Sequence, residues 1–477
     1  MKKSLIAMVL LAALSLGGVV AAHMTIADTA DRVVITQYDL TGDPRAADGL
    51  AVHRITELPG QLPMHWDTTF RVNGDAETRY AFRRPELWRE SEARLDLYTA
   101  TFNQGYGGLW EYPITDEDIQ LRELCNAVAA NTPAGETHTE ILHLADYFDV
   151  LPLDINYHFH LTDENGDLNH CAIHSEDGRL WGSGMEDSSL EDPRLRFAQA
   201  LLDSFRFPVP EDFTVEVSIS RDEEGSIYDM GCSVLSNDIS LQSQSISSRD
   251  WIYFIPFALD GESQPLMDYS GTPAGFGLYR LPASDPKDLT LDDLELVLPL
   301  DPDLQVTNLD ITPDQSVLLL STREKGRCVL RVLDAADGSL LQTLELDPGE
   351  PDSWNAVIAY DGFALLTLNE GYRVLEALPD GTYRPRFLAK PPDMSAYPNL
   401  GRWYDFTPAF DGQRLAILRG EGSEYGHMCS FSLMVYDDSG LHYVGHFENS
   451  LEAGYGWNEF YDKSVRPVRN GTSIRWE

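Results

Sequence analysis

The feature that most constrains the fold of this 477-residue chain is a regular series of tight-turn signals. Asp-Gly and Asn-Gly pairs tolerate the positive φ angles that short hairpins require. Asp-Gly occurs at residues 48–49, 177–178, 260–261, 337–338, 361–362, 380–381 and 411–412, and Asn-Gly at 73–74 and 165–166. Turns at this spacing leave room for short strands between them, so the chain is predicted to be mostly β-structure.

One stretch shows a complete unit of four strands separated by turns. Residues 306–312, 316–322, 328–334 and 339–346 each form an apolar, strand-like run inside the unit 304–346. The same plan recurs over residues 354–390 and 403–449, and more loosely over 239–300. The repeat is roughly 45–65 residues long, close to the period of four-stranded repeat units.

The sequence of the unit 304–346 resembles a blade of β-propeller repeat proteins of the tryptophan-aspartate or quinoprotein-like type. The resemblance rests on two sequence segments, Leu309-Asp310-Ile311-Thr312-Pro313-Asp314 and Val332-Leu333-Asp334-Ala335-Ala336-Asp337-Gly338. It covers residues 239–449 and implies a ring of blades around a central channel. The Gly-His and Trp-Asp signatures and any quinoprotein cofactor pattern are absent, so the resemblance implies no cofactor and no activity.

The fold is therefore predicted to be all-β, a β-propeller of seven or eight four-stranded blades with two short helices in the N-terminal half. Residues 31–238 have room for three or four further blades, which gives a single domain over residues 31–476. Pairing of the end segments 32–40 and 464–476 would close it. The helices are expected after Thr115 and at Asp192-Pro193. Because both precede residue 205, the alternative is a separate N-terminal domain over residues 31–205.

The N-terminus predicts export. Lys2 and Lys3 precede an apolar run and then small residues, as in a signal peptide, which would be cleaved before His23. The alternative is an uncleaved anchor over residues 4–22. Either way the protein is expected to be extracytoplasmic, secreted or held at the outer face of the plasma membrane.

The charge balance excludes whole classes of partner. The chain has 35 basic and 77 acidic side chains, a formal net charge of −42. Such a surface repels nucleic-acid phosphates and anionic lipid heads, so no nucleic acid is expected to bind. Membrane contact is expected only through residues 4–22, and only if that segment stays uncleaved. Since 43% of the residues are hydrophobic, the chain can still build a large core.

The five cysteines are scattered, without a C-x-x-C pair. This pattern is typical of neither a disulfide-stapled scaffold nor a paired structural zinc site. Most are expected to be buried strand residues, and a single disulfide remains open.

A histidine-rich hairpin is the most specific local feature. If Asn165-Gly166 is a two-residue turn, His160 lies opposite Cys171, and alternation places His158, His160 and Cys171 on one face. Those three ligands would suit zinc or copper. Acidic turns such as Asp163–Asp167 and Asp301–Asp303 are weaker calcium candidates. The ordinary interpretation is a plain hairpin with polar side chains, and no cofactor.

Glycine-flanked aromatic residues are the candidate ligand-binding side chains, because a flat ring beside a flexible backbone suits sugars or extended peptides. The alternative is that these rings pack between blades. They are Tyr106, Trp110, Trp403, Tyr404, Tyr455 and Trp457.

These observations favour a non-catalytic binding or sensory ectodomain on a propeller scaffold, with a protein, peptide or glycan ligand. No nucleophile elbow, phosphate loop or dinucleotide fingerprint occurs, so no catalytic residue is assigned. The alternative is an extracellular hydrolase acting on glycans. The two differ in one respect: a hydrolase should place two or three carboxylates with perturbed pKa values in its deepest pocket.

Overall fold

A computed structural model describes most of the chain. It covers residues 14–24, 28, 33–57, 65–81, 93–99, 104–115, 121–162, 168–176, 179–184, 191–234, 240–259, 268–347, 356–368, 371–392, 406–422, 428–450 and 466–477. Within these residues the strands form seven sheets, six with four strands and one with five. We number the sheets I to VII.

By contact density the chain divides into two compact units. The first unit comprises residues 1–89, 370–376 and 384–477, and the second comprises 90–369 and 377–383. Two of the sheets lie entirely in the first unit, and four lie entirely in the second. The single-domain assignment for residues 31–476, with its alternative boundary at residue 205, stays a prediction.

Sheets I and VII are each completed by a strand from the opposite end of the chain. Sheet I has the order β29-β2-β3-β4, formed by Arg466–Trp476, Leu50–Glu57, His65–Arg71 and Ala76–Ala81. Sheet VII has the order β1-β28-β27-β26-β25, formed by Ile35–Gly42, Gly440–Asn449, Met428–Asp437, Leu415–Gly422 and Phe406–Phe410.

The first of the chain-terminal pairings joins Leu50 to Trp476, and the second joins Ile35 to Asn449. The predicted pairing of the end segments 32–40 and 464–476 with each other is wrong. Each end extends a different sheet, and the two end strands do not pair with each other.

Sheets II and III share a discontinuous stretch of chain. Sheet II has the order β10-β9-β8-β5, formed by Arg179–Ser183, Leu168–Glu176, Leu153–Thr162 and Arg94–Thr99. Sheet III has the order β6-β12-β11-β7, formed by Gln104–Trp110, Ile227–Val234, Thr214–Arg221 and Thr137–His143. The chain leaves sheet II after β5, builds two strands of sheet III, and returns.

Sheets IV, V and VI follow the simple order of a meander. Sheet IV consists of β13 Ser240–Ser247, β14 Trp251–Leu259, β15 Gly277–Pro282 and β16 Glu295–Pro299. Sheet V consists of β17 Gln305–Ile311, β18 Val317–Glu324, β19 Arg327–Asp334 and β20 Leu340–Leu346. Sheet VI consists of β21 Val357–Tyr360, β22 Phe363–Leu368, β23 Gly371–Ala377 and β24 Tyr383–Ala389.

Burial explains why these runs form strands of a stacked β fold. In sheet V, β18 is buried along its first six residues, whereas the edge strand β20 is largely exposed. A strand buried on both faces reads as a continuous apolar run, and an edge strand carries polar side chains. At the turns, Gly338 and Gly381 have φ angles of 77° and 81°, which the Asp-Gly pairs predicted.

In the part of the chain that the structure describes, three α-helices accompany the sheets. Residues 14–24 form α1. Helix α2 spans Arg122–Asn131 and α3 spans Pro193–Ser204. Asp192 caps α3, because its side chain accepts a hydrogen bond from the Arg194 backbone amide, as the Asp-Pro signal predicted. No helix among the described residues has the length and apolar character needed to cross a membrane.

The predicted fold class is confirmed: an all-β chain with seven propeller-type sheets and two short helices, α2 and α3, in the N-terminal half. The repeat units 304–346 and 354–390 correspond to sheets V and VI. The unit 403–449 supplies four of the five strands of sheet VII, and the looser unit 239–300 is sheet IV.

Candidate functional site

One face of sheet II gathers all four histidines of the predicted hairpin. Strands β8 and β9 pair so that His160 lies opposite His170 and Asn156 lies opposite His174. Alternation along each strand therefore places four imidazoles, His158, His160, His170 and His174, on the same face.

Neighbouring strands extend this face on both sides. On β5, Arg94 lies opposite His158 and Asp96 lies opposite Asn156, and on β10 Trp181 lies opposite His174. We call this surface the imidazole face. Its members are Arg94, Asp96, Asn156, His158, His160, His170, His174 and Trp181.

The predicted placement of Cys171 on one face with His158 and His160 is wrong. Cys171 lies opposite Phe159, on the other face of the sheet, where it is buried. Its thiol donates to the Gly184 carbonyl at 3.1 Å. The cause is a register shift, because Thr162 pairs with Leu168 and leaves residues 163–167 between the strands instead of a two-residue turn. A slip of one residue moves every side chain to the opposite face.

Hydrogen bonds fix the protonation of His158. An Arg94 guanidinium nitrogen lies 3.3 Å from His158 Nε2, and His158 Nδ1 lies 2.9 Å from His170 Nε2. Because a guanidinium can only donate, Nε2 of His158 is the acceptor. In the neutral ring the proton is then on Nδ1, which donates to His170.

The environment favours neutral imidazoles. Burial, followed by the charges of Arg94 and the neighbouring histidines, lowers the pKa of His158 to about 4. Burial also lowers the pKa of His170 and of His174. Each ring therefore offers one donor and one acceptor at neutral pH.

Asp96 shows the opposite shift. Burial raises the pKa of its carboxyl group, although the Ser245 hydroxyl donates to it at 2.8 Å and Arg94 lies 3.4 Å away. Several titratable groups with shifted pKa values on one surface are a recognised mark of a functional site.

An exposed tryptophan ends the row of rings. The Trp181 side chain is 41% exposed, and its ring centroid lies 4.6 Å from that of His174. The His174 ring in turn lies 5.6 Å from His158, which lies 5.0 Å from His170. Trp181 thus presents a flat apolar surface beside polar imidazoles, the combination that binds amphipathic ligands.

The back of sheet II is a packed core that holds this face in place. Tyr157, Phe159 and Ile173 are buried there, and the Tyr157 ring lies 6.4 Å from Phe197 of α3. The helix itself is anchored by Arg194, which donates to both oxygens of Asp285 at 2.7 and 2.8 Å. A site on a supported sheet is more rigid than one on loops.

Of the six aromatic candidates, the structure describes the side chain of Trp110 alone. Trp403, Tyr404, Tyr455 and Trp457 lie outside the described residues, as does the side chain of Tyr106. Trp110 is half-buried and packs against the core of the second unit. Their role in ligand binding stays a prediction. Sequence reasoning missed Trp181, although the signal that selected the others, an aromatic beside glycine, is present in Trp181-Gly182.

Two cavities among the described residues offer little catalytic chemistry. A cavity of about 180 Å³ in the first unit is lined by Ala51, His53, Thr69, Ser473 and Arg475. One of about 210 Å³ in the second unit is lined by Val150, Leu151, Leu153, Ser175, Gln199, Leu202, Asp203, Phe205 and Arg206. Among the described lining residues, neither cavity has a pair of carboxylates.

The metal predictions remain open. In the described part of the chain, no group of three or more histidine, cysteine, aspartate or glutamate side chains is arranged to hold a metal ion. The acidic turn 163–167 lies outside that part. Zinc, copper and calcium binding therefore stay predictions.

Comparison with known proteins gives no family. No family of known sequences matches the chain, and no curated protein sequence matches it. Solved structures show weak likenesses. A candidate 6-phosphogluconolactonase from Bacteroides fragilis has 9% identity and a TM-score of 0.29, over 90% of this chain and 100% of that one.

Two further likenesses are similar in strength. The β-propeller domain of the Trilobed protease from Pyrococcus furiosus has 9% identity and a TM-score of 0.21, over 61% of this chain and 67% of that one. TolB from Acinetobacter baumannii has 10% identity and a TM-score of 0.24, over 90% and 67%. At these scores the likenesses carry no argument about function, which has to come from the residues of this chain.

Proposed function

We propose that this protein is an extracytoplasmic, non-catalytic binding protein and that the imidazole face is its ligand-binding surface. The observation that carries the proposal is the contiguous row Trp181-His174-His158-His170, with an exposed tryptophan at one end. Clustered residues with shifted pKa values support a functional rather than a structural role for this surface.

The chemistry of the face favours a neutral glycan. A flat ring such as Trp181 covers the apolar side of a sugar, while neutral imidazoles, Asn156 and Arg94 can donate to or accept from its hydroxyl groups. The formal net charge of −42 disfavours anionic ligands. The extracytoplasmic location is supported by the leader-like residues 1–22.

A glycan array of neutral oligosaccharides tests the proposal. The wild-type protein is expected to bind a subset of the array, and Trp181→Ala to bind those sugars about tenfold more weakly, as for a central aromatic contact. The matched control is Tyr228→Ala, which removes a ring of similar exposure, 47%, from sheet III. If the wild-type protein binds no glycan, or if both variants bind equally well, the proposal is wrong.

The second candidate is a glycan hydrolase, and one observation favours it. Asp154 lies two residues before Asn156, the cross-strand partner of Asp96, so both carboxylates lie on the same side of sheet II as diagonal neighbours. A carboxyl group with a raised pKa, such as Asp96, suits a general acid. Asp154 is only 2% exposed, however, which is why we prefer binding to catalysis.

Chromogenic glycosides separate the two candidates. We expect no turnover by the wild-type protein. Turnover that Asp96→Asn abolishes would establish the hydrolase instead.

A further inference from the structure

Two of the buried cysteines lie where helix α2 covers sheet III, one on the helix and one on the sheet. Helix α2 packs on strands β7 and β11, and Cys125 is on its buried side, together with Leu124, Val128 and Ala129. Cys232 is on β12, opposite Val217 of β11. Val217 is fully buried, so Cys232 shares the covered face of the sheet.

The two thiol groups are in direct contact. Cys125 and Cys232 are 0% and 4% exposed and are joined by a side-chain hydrogen bond. Both are free thiols in this structure, one from a helix and one from the sheet that the helix covers. A disulfide bond would require their Cβ atoms to lie about 3.5–4.5 Å apart. The other buried cysteines, Cys171 and Cys328, belong to sheets II and V.

We propose that Cys125 and Cys232 form a disulfide bond in the exported protein. In the oxidising compartment that the leader predicts, an external dithiol oxidant with a reactive disulfide is the electron acceptor. One cysteine thiolate attacks a sulfur of that disulfide and releases its first thiol. The second cysteine thiolate then attacks the mixed disulfide and releases the other. Two protein thiols are oxidised to one disulfide, and the oxidant disulfide is reduced to two thiols.

The burial of both cysteines determines at which stage of folding the disulfide can form. In the folded protein neither sulfur can be reached by a bulky oxidant, because Cys125 is fully covered by the sheet and core. The exchange therefore takes place during folding, before α2 docks on sheet III. Once formed, the bond pins α2 to β12 across a long stretch of chain, the situation in which a cross-link constrains the unfolded state most.

Counting free thiols in the denatured protein tests the proposal. The full chain is exported with its own leader, denatured without reductant, and labelled with a thiol-reactive mass tag. Of the five cysteines, wild type is expected to take three tags. Cys125→Ser is expected to take four tags, since it frees Cys232. Cys171→Ser, the matched control, is expected to take two.

Each other result overturns the inference. Without any disulfide the counts are five, four and four. With a bond between Cys171 and a cysteine other than Cys125, Cys171→Ser takes more tags than wild type and Cys125→Ser takes fewer. Peptide mapping without reductant then identifies the linked pair. Because labelling follows denaturation, the counts do not depend on the variants folding.

A second measurement reports on the folded state. A reductant present throughout unfolding and refolding is expected to lower the thermal midpoint of wild type by about 5 °C. The same reductant should leave the midpoint of Cys125→Ser unchanged. A wild-type midpoint that does not respond to reductant contradicts the proposal.

Discussion

At the scale of single residues, the imidazole face keeps His158 neutral, and this makes the stability of the folded protein depend on pH. The folded protein lowers the pKa of His158 to about 4, whereas the unfolded chain has the ordinary value of about 6.5. Between these two values the unfolded chain binds more protons than the folded protein. Stability therefore falls as the pH is lowered through this window, and is fully present above it.

His158→Gln should remove this contribution. We expect the free energy of unfolding to fall less between pH 7 and pH 4.5 in the variant than in wild type, by on the order of 1–2 kcal/mol. Urea unfolding at the two pH values measures the difference. His143→Gln, at an exposed position on β7, is the control and should keep the wild-type pH dependence. A His158→Gln slope equal to wild type would show that this pKa shift is absent.

The same residues show how far sequence reasoning reaches. The chemistry of the hairpin was readable, because alternation and the residue types are local. The register was not, since it depends on whether the loop contains an even or an odd number of residues. Asn165-Gly166 favoured the even case, but Thr162 pairs with Leu168. This one-residue register shift places His170, and not Cys171, on the imidazole face.

At the scale of elements, α3 supports sheet II from behind, and its N-terminus is the point of attachment. The Asp192 side chain accepts from the Arg194 backbone amide at 2.7 Å and from its guanidinium at 3.2 Å. Asp192 is only 5% exposed, so this cap is also shielded from solvent. Capping of this kind satisfies amide groups that the helix leaves unpaired.

Asp192→Ala is therefore expected to lower the free energy of unfolding by about 1–2 kcal/mol. Asp203→Ala, the same substitution at an exposed position of the same helix, should change it by less than about 0.5 kcal/mol. Urea unfolding monitored by circular dichroism compares the two variants. Equal effects would mean that the cap does not stabilise α3.

The elements differ in how predictable they were. Helix α3 and sheets IV to VI follow from caps, Asp-Gly turns and apolar runs, which are all local signals. The connection that leaves sheet II after β5 and returns through sheet III is not local, because strands β6 and β7 pair with β11 and β12 far along the chain. Nothing in a short window of sequence distinguishes that order from a meander.

At the scale of the whole chain, the number of sheets was predictable from the repeat period, but the way the ends close was not. Strand β29 pairs with β2, and β1 pairs with β28. Each pairing joins residues more than 400 positions apart, so its register depends on the entire fold between them. Such long-range pairing is costly in loop entropy and must be offset by packing.

Trp476 of β29 provides that packing between the two sheets of the first unit. Its indole N–H donates to the Ala409 carbonyl of β25 at 3.2 Å, and the Arg414 guanidinium lies 3.9 Å from its ring. Both partners belong to the chain segment of sheet VII, whereas Trp476 belongs to sheet I. The Trp476 side chain therefore links β29 of sheet I to the chain segment of sheet VII.

Trp476→Ala should remove the side-chain contacts between β29 and sheet VII and so lower stability. Since the ring is half-buried, we expect the free energy of unfolding to fall by about 2 kcal/mol, less than for a fully buried aromatic. Arg475→Ala, at the adjacent and exposed position, should cost less than about 0.5 kcal/mol. Limited proteolysis followed by mass spectrometry should also show faster cleavage near the C-terminus of Trp476→Ala. If both variants match wild type in urea and in protease resistance, closure does not depend on this contact and rests on the backbone pairing of β29 alone.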